Sequence, residues 1–441
     1  MSDYQIIVVG AGAAGLAAAL ELARAGNKVA ILEARDRIGG RIFTRHDAAS
    51  NAPVELGAEF IHGRPAEIWD ILRRQKIPAW EGGGENWVAE KGELRPSDFF
   101  AEVDELMAKM NDREPDESFL HFIERCCREP RYEQAKNWAR RYVTGFHAAD
   151  PALVSVHSLV HGLRAQEQVD GDRTFHMESG YQSLVEYFRS ELEKHAVPMF
   201  LNTVVERIRW GHGQVRIAAR GLTPTFSAAK LVLTVPLGVL QSTPADEGHI
   251  QFNPELPKSK HDALRHLVMG KVIRITLCFR ERFWDALHPS SRLPQKTLAD
   301  LRFLLSSESP FPTWWTTAPR QFPIITGWAP FHCAETLAGK GNDVVTGTAL
   351  HTLSRILPVS VQALSKLLSS AYTHDWQSDP FSRGAYSYVK VGGEGAQREL
   401  SRPIDDTLFF AGEATDFRGH NGTVHAAIHS GQRAAAELFR C

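Results

Sequence analysis

Three glycines and one acid near the start of the chain have the types and spacing to hold a phosphate. Gly10, Gly12 and Gly15 follow the apolar run Ile6 to Val9, and Glu33 ends the next apolar run. The first glycine allows a tight turn, the second lets the backbone approach a pyrophosphate, and the third lets a helix pack close to the strand. A helix over Ala13 to Ala25 would then aim its amides and its positive end at the phosphates. Gly26 stops that helix, Lys28 to Leu32 reads as a second buried strand, and Glu33 falls where a carboxylate accepts from a ribose hydroxyl. This unit specifies a dinucleotide but leaves NAD and FAD both open. His425 and His429 have the i, i+4 spacing of a helical metal pair, yet no third ligand is suitably spaced, so no metal site is expected.

The rest of the composition points toward a small-molecule ligand. Lys plus Arg (50) nearly balances Asp plus Glu (52), so a net charge of -2 gives no basic footprint for nucleic acid or an anionic membrane. A chain of 441 residues has room for two or three cored domains. Its five cysteines include the adjacent Cys126 and Cys127 and no C-x-x-C pair, which fits a reduced, cytoplasmic protein. A strand starting near residue 4 leaves no room for a signal peptide, and no apolar run has membrane-spanning length.

From Pro65 to Val160 charged and apolar residues recur at three-to-four spacing, which predicts a mostly helical lobe. GYQSLVEYFRSELEKH predicts a helix, and NTVVERIRW with QVRIAAR a hairpin around Gly211 and Gly213. Strands and helices alternate from Gln251 to Trp376. TLFFAGEA then reads as a strand, and Thr423 to Leu438 as the last helix.

The glycine turn at one end and AGEATDFRGHNGTVHAAIHSGQRAA at the other resemble the flavin-dependent amine oxidase family of monoamine oxidases, polyamine oxidases and histone lysine demethylases. Further motifs match in order: Ala34, Arg35, Gly39, Gly40 and Arg41; LGAEFIHG; NTVV; TVPLGVL; MGKVIRITLCFRERFW; and WQSDPFSRGAYSYV. The resemblance decides for FAD. It implies that Ala34, Arg35, Gly40 and Arg41 line ribose and pyrophosphate, and that Gly57, Ala58 and Glu59 pass along the isoalloxazine ring. It further implies that Val205 meets adenine through its backbone, that Gly412 and Glu413 lie at the ribityl chain, and that Trp376 sits near the ring. Thr423 and Val424 would open a helix whose positive end stabilises charge on reduced flavin.

The resemblance also nominates residues for the chemistry. Tyr386 aligns with an aromatic that walls the amine over the flavin, and alternation puts Tyr386 and Tyr388 on one side of a strand. Thr423 replaces the facing aromatic of monoamine oxidases. Ala385 replaces their flavin-bonding cysteine, which implies non-covalent FAD. Arg274 occupies the position of a family lysine that reaches flavin N5 through a water. An arginine can order a water or meet a carboxylate but cannot act as a base. Lys271, three positions earlier, should face the other way. His62 aligns with a histidine beside the substrate tunnel, where a neutral ring accepts from an ammonium.

The expected fold is α/β: a doubly wound FAD-binding domain from 1-64, 179-245 and 380-441, with a mixed α+β substrate domain and helical lobe from 65-178 and 246-379. The expected activity is FAD-dependent oxidation of a primary or secondary amine to an imine, with O2 reduced to H2O2. The expected partners are a small amine and O2, with neither nucleic acid nor membrane. The alternatives are an L-amino-acid oxidase using an arginine for the α-carboxylate and a flavin-binding protein without turnover.

Overall fold

Runs such as IIVV and LVL carry no polar side chain, so they are stable only where both faces of a strand are covered. In the computed structural model, which describes residues 3–90, 93–221, 225–289 and 295–440, such runs form the centre of an eight-stranded sheet. Strand Tyr4–Val9 lies between Val29–Leu32 and Phe226–Leu233 and is parallel to both. Met199–Phe200 extends the parallel side, and Leu408–Phe410 pairs in parallel with Phe226–Leu233. The expected hairpin, Val205–Gly211 with Gln214–Ala219, adds antiparallel strands on the far side. Gln251–Asn253 forms one edge of the sheet and Met199–Phe200 the other.

One layer against this sheet is made by helices Ala13–Arg24, Gln182–Lys194 and Val424–Leu438. The first and last touch closely. A Cβ on Gly431 would stand 2.1 Å from the Ala14 carbonyl oxygen, so the chain's two ends are joined by backbone packed on backbone.

The second large sheet runs Leu368–Thr373, Val272–Phe279, Ile324–Pro330, Thr313–Thr316, Leu301–Ser306, Glu85–Glu90, Glu93–Pro96. Strand alternation divides its residues between two environments. Ile273, Ile275, Leu304, Trp314 and Ile325 enter an apolar core on one side. Arg274 lies opposite Trp328, Trp328 opposite Thr313, and Trp315 opposite Phe303 on the other side, which lines a cavity. The helical reading of 65 to 160 needs correction here. Helices Phe119–Cys126, Glu133–Gly145 and Val156–Glu167 do form a lobe, but Ala79–Glu81, Glu85–Glu90 and Glu93–Pro96 are strands. Glu85–Glu90 pairs in parallel with Leu301–Ser306, far away in the chain, and that tertiary pairing outweighs local periodicity. Among the described residues no helix is long and apolar enough to cross a membrane.

Candidate active site

One continuous cavity of about 1060 Å³ runs from the glycine turn, between the two sheets, to the helical lobe. Its dimensions stand at the upper end of small-molecule sites, as a long cofactor plus a substrate require.

At the turn, Gly10 has φ +102° and Gly15 packs so closely that a Cβ would come within 1.9 Å of the Gly10 oxygen. The segment carrying Gly39 and Gly40 folds back over this turn, with the Gly39 amide donating to the Ala11 oxygen at 2.8 Å. Gly12 and Gly40 face each other there, and a Cβ on Gly40 would lie 3.1 Å from the Gly12 Cα. Glu33 is buried, and its two oxygens accept from the Ala11 amide at 2.7 Å and the Arg35 amide at 3.0 Å. Each oxygen keeps a lone pair for a ribose hydroxyl. Arg35 pairs with Asp379 at 2.8 Å, while Ala13, Ala34 and Val205 line this same end.

In the middle of the cavity distant segments converge on Glu413. Its Oε1 accepts from Arg41 Nη1 at 3.0 Å, and its Oε2 accepts from Ser387 Oγ at 2.7 Å and the Gly422 amide at 2.9 Å. Arg41 Nη1 also donates to the Ala385 oxygen at 2.7 Å, so Arg41 links segments as well as lining the cavity. Gly412, with φ +132°, has nothing within 4 Å of where a Cβ would be. Trp376 is buried and donates to the Leu56 oxygen at 2.7 Å, beside Gly57 and Ala58. Thr423 caps the helix that begins at Val424: its Oγ accepts from the Ala426 amide at 3.1 Å and donates to the His420 oxygen at 2.7 Å. That hydroxyl therefore serves the helix end, and Thr423 offers the site chiefly its position.

The far end is an aromatic chamber. Tyr386 donates to the Phe146 oxygen at 2.7 Å, and burial raises its phenol above the ordinary value. Phe146 packs edge-on against His62 with ring centres 5.4 Å apart, and Phe60, Phe303, Trp315 and Trp328 continue the wall. Burial, with a smaller push from His176, lowers His62 to about 4, so its ring is neutral at pH 7. Lys271 points outward to Glu335 at 2.8 Å. Arg274, only 4% exposed, is part of the chamber wall. It donates from Nη2 to Glu59 Oε2 at 2.6 Å and from Nη1 to the Gly57 oxygen at 3.0 Å.

Sequence reasoning singled out neither Trp315 nor Phe303, Phe60, Trp328 or Phe146. A signal for Trp315 lay in Thr313–Thr316, TWWT, because adjacent residues of a strand face opposite ways and only one of the two tryptophans can enter the core. Glu59, expected along the ring, has its side chain paired with Arg274. His425 and His429 belong to no cluster able to hold a metal among the described residues.

Fold and site together define an α/β protein of two large sheets, with a glycine turn at one end of a shared cavity and an aromatic chamber at the other. The sequence model for flavin containing amine oxidoreductases matches residues 13–439, and the chain belongs to that family. Lysine-specific histone demethylase 1 homolog 2 of Oryza sativa subsp. japonica is 30% identical, over 98% of this chain and 57% of the rice protein. Probable polyamine oxidase 4 of Arabidopsis thaliana is 27% identical, over 99% of this chain and 87% of that protein. The chain thus spans little more than half the length of the demethylase relative. Putrescine oxidase bound to putrescine superposes with a TM-score of 0.80 at 21% identity, covering 99% of both chains. Cyclohexylamine oxidase from Brevibacterium oxydans IH-35A gives 0.77 at 18% identity, over 99% of this chain and 100% of that one. At those identities the superpositions speak for the fold alone.

Proposed function

We propose that the chain is an FAD-dependent oxidase of primary or secondary amines, polyamine-like ones included. One observation carries this reading: a single cavity joins a dinucleotide turn, through the Arg41–Glu413 junction, to a chamber walled by Tyr386 and other rings. The donor set fits FAD, with a glycine cradle that a Cβ would crowd, a pinned Glu33, and a capped helix start at Val424. FAD held there would supply a two-electron acceptor for the amine, with O2 as the oxidant that would carry those electrons on to H2O2. Tyr386 walls the entering amine, the neutral His62 ring accepts a hydrogen bond from it, and the aromatic wall excludes bulk water. The oxidised product is an imine, which water hydrolyses to a carbonyl compound and ammonia from a primary amine, or the freed amine from a secondary one. Ala385, with no nucleophile on its side chain, is the basis for proposing that FAD is held without a covalent bond. Free Cys126, Cys127, Cys278 and Cys333 accord with a cytoplasmic setting.

A peroxide-coupled screen of amines beside amino acids tests the reading. Peroxide from amines supports it, whereas peroxide from amino acids alone replaces it with the amino-acid oxidase alternative.

A further inference from the structure

An arginine in the wall of an amine chamber is a ready receptor for a substrate carboxylate, because its planar fork matches two carboxylate oxygens. Here both terminal nitrogens of the fork are already engaged, and Nε is buried without a partner. Arg274 Nη2 donates to Glu59 Oε2 at 2.6 Å, Nη1 donates to the Gly57 oxygen at 3.0 Å, and both side chains are at most 10% exposed. Glu59 is held in turn by Trp315 Nε1, which lies 3.1 and 3.2 Å from its two oxygens, and the His176 ring packs beside it with Nδ1 3.7 Å away. His176 is itself stacked on Trp80 with centroids 4.1 Å apart. The acid thus has little freedom to leave the guanidinium.

We propose that Glu59 is an internal carboxylate that fills the Arg274 receptor and so makes the chamber select amines lacking an α-carboxylate over amino acids. This rests on the amine-oxidase reading. An amino acid entering the chamber meets a guanidinium already neutralised, and its carboxylate must either stay unpaired beside Glu59 or displace it. Both cost free energy in a desolvated site. An amine with no carboxylate meets neither cost. Glu59 acts through Arg274 and is therefore a positioning residue.

The test uses the flavin-loaded protein and formate as probe. In Glu59→Ala, formate should bind the vacated fork saturably, raising the thermal midpoint and perturbing the flavin spectrum. Wild type and Glu59→Ala/Arg274→Met should show neither effect. The same Glu59→Ala change should lower the kcat/KM preference for putrescine over ornithine by at least about tenfold, the value of one charge-assisted hydrogen bond. Should Glu59→Ala fail to fold, Glu59→Gln keeps the side-chain length and removes the charge, and the same comparison applies with a smaller gain. Formate binding by wild type that Arg274→Met abolishes overturns the proposal. So does a gain in the variant that survives Arg274→Met, which would point to another cation of the cavity wall, Arg302, instead. A wild type that oxidises no amine fails the amine-oxidase reading, while the formate titration still decides the role of Glu59.

Discussion

The contact between the first and last helices can be tested by adding a single methyl group. In Gly431→Ala the new Cβ would stand 2.1 Å from the Ala14 oxygen, against an ordinary separation of about 3.5 Å, so the helices must part by about 1 Å. Alanine favours a helix over glycine by about 1 kcal/mol, and overpacking a fixed contact costs about 1–3 kcal/mol. Gly347, inside helix Asn342–Ile356, offers the matched control, since nothing lies within 4 Å of its Cβ position. Gly347→Ala should stabilise by up to about 1 kcal/mol, and Gly431→Ala should destabilise by about 1–2 kcal/mol. The Gly431 variant should also lose flavin more readily, because the displaced helix carries the Thr423 cap at the middle of the cavity. Thermal midpoints and the ratio of flavin to protein absorbance measure the two effects. If both variants are equally stabilised and retain equal flavin, the reasoning about this contact is wrong.

Acid precipitation of the purified protein should leave a yellow supernatant and a colourless washed pellet, since Ala385 offers flavin no bonding atom; a yellow pellet contradicts this. Burial lowers His62, His147 and His176 from the ordinary 6.5 to about 4, so the unfolded chain takes up these protons first. Their contribution to stability is complete above about pH 6.5 and is lost progressively as pH falls toward 4. His176→Phe should flatten the fall in thermal midpoint over that range, and an unchanged slope refutes the assignment. Tyr386→Phe removes the 2.7 Å donation to the Phe146 oxygen and should cost about 1 kcal/mol while leaving the chamber's ring in place. Denaturant unfolding checks the cost, and a variant as stable as wild type shows the bond contributes nothing.

The dinucleotide unit was legible because its logic is local. Strand, turn, helix, stop, second strand and acid fall within residues 4–33, and each specifies the next. The closing helix was legible for the same reason, through its apolar spacing and the Thr423 cap. Strand Glu85–Glu90 was not, because ENWVAE has no clean alternation and its partner Leu301–Ser306 lies across the whole helical lobe. The same distance hid the meaning of Arg274. Its type and buried strand could be read, as could the outward turn of Lys271, but Glu59 lies 215 positions away. No local pattern shows that an arginine's carboxylate is supplied by its own chain.

The central claim is that the chamber delivers an amine to a bound flavin, and anaerobic mixing tests it most directly. Without O2, a panel of primary, secondary and polyamines should bleach the flavin's visible absorbance, while α-amino acids of matching side chain should leave it coloured. A flavin that no amine bleaches would contradict the account and favour a flavin-binding protein without turnover.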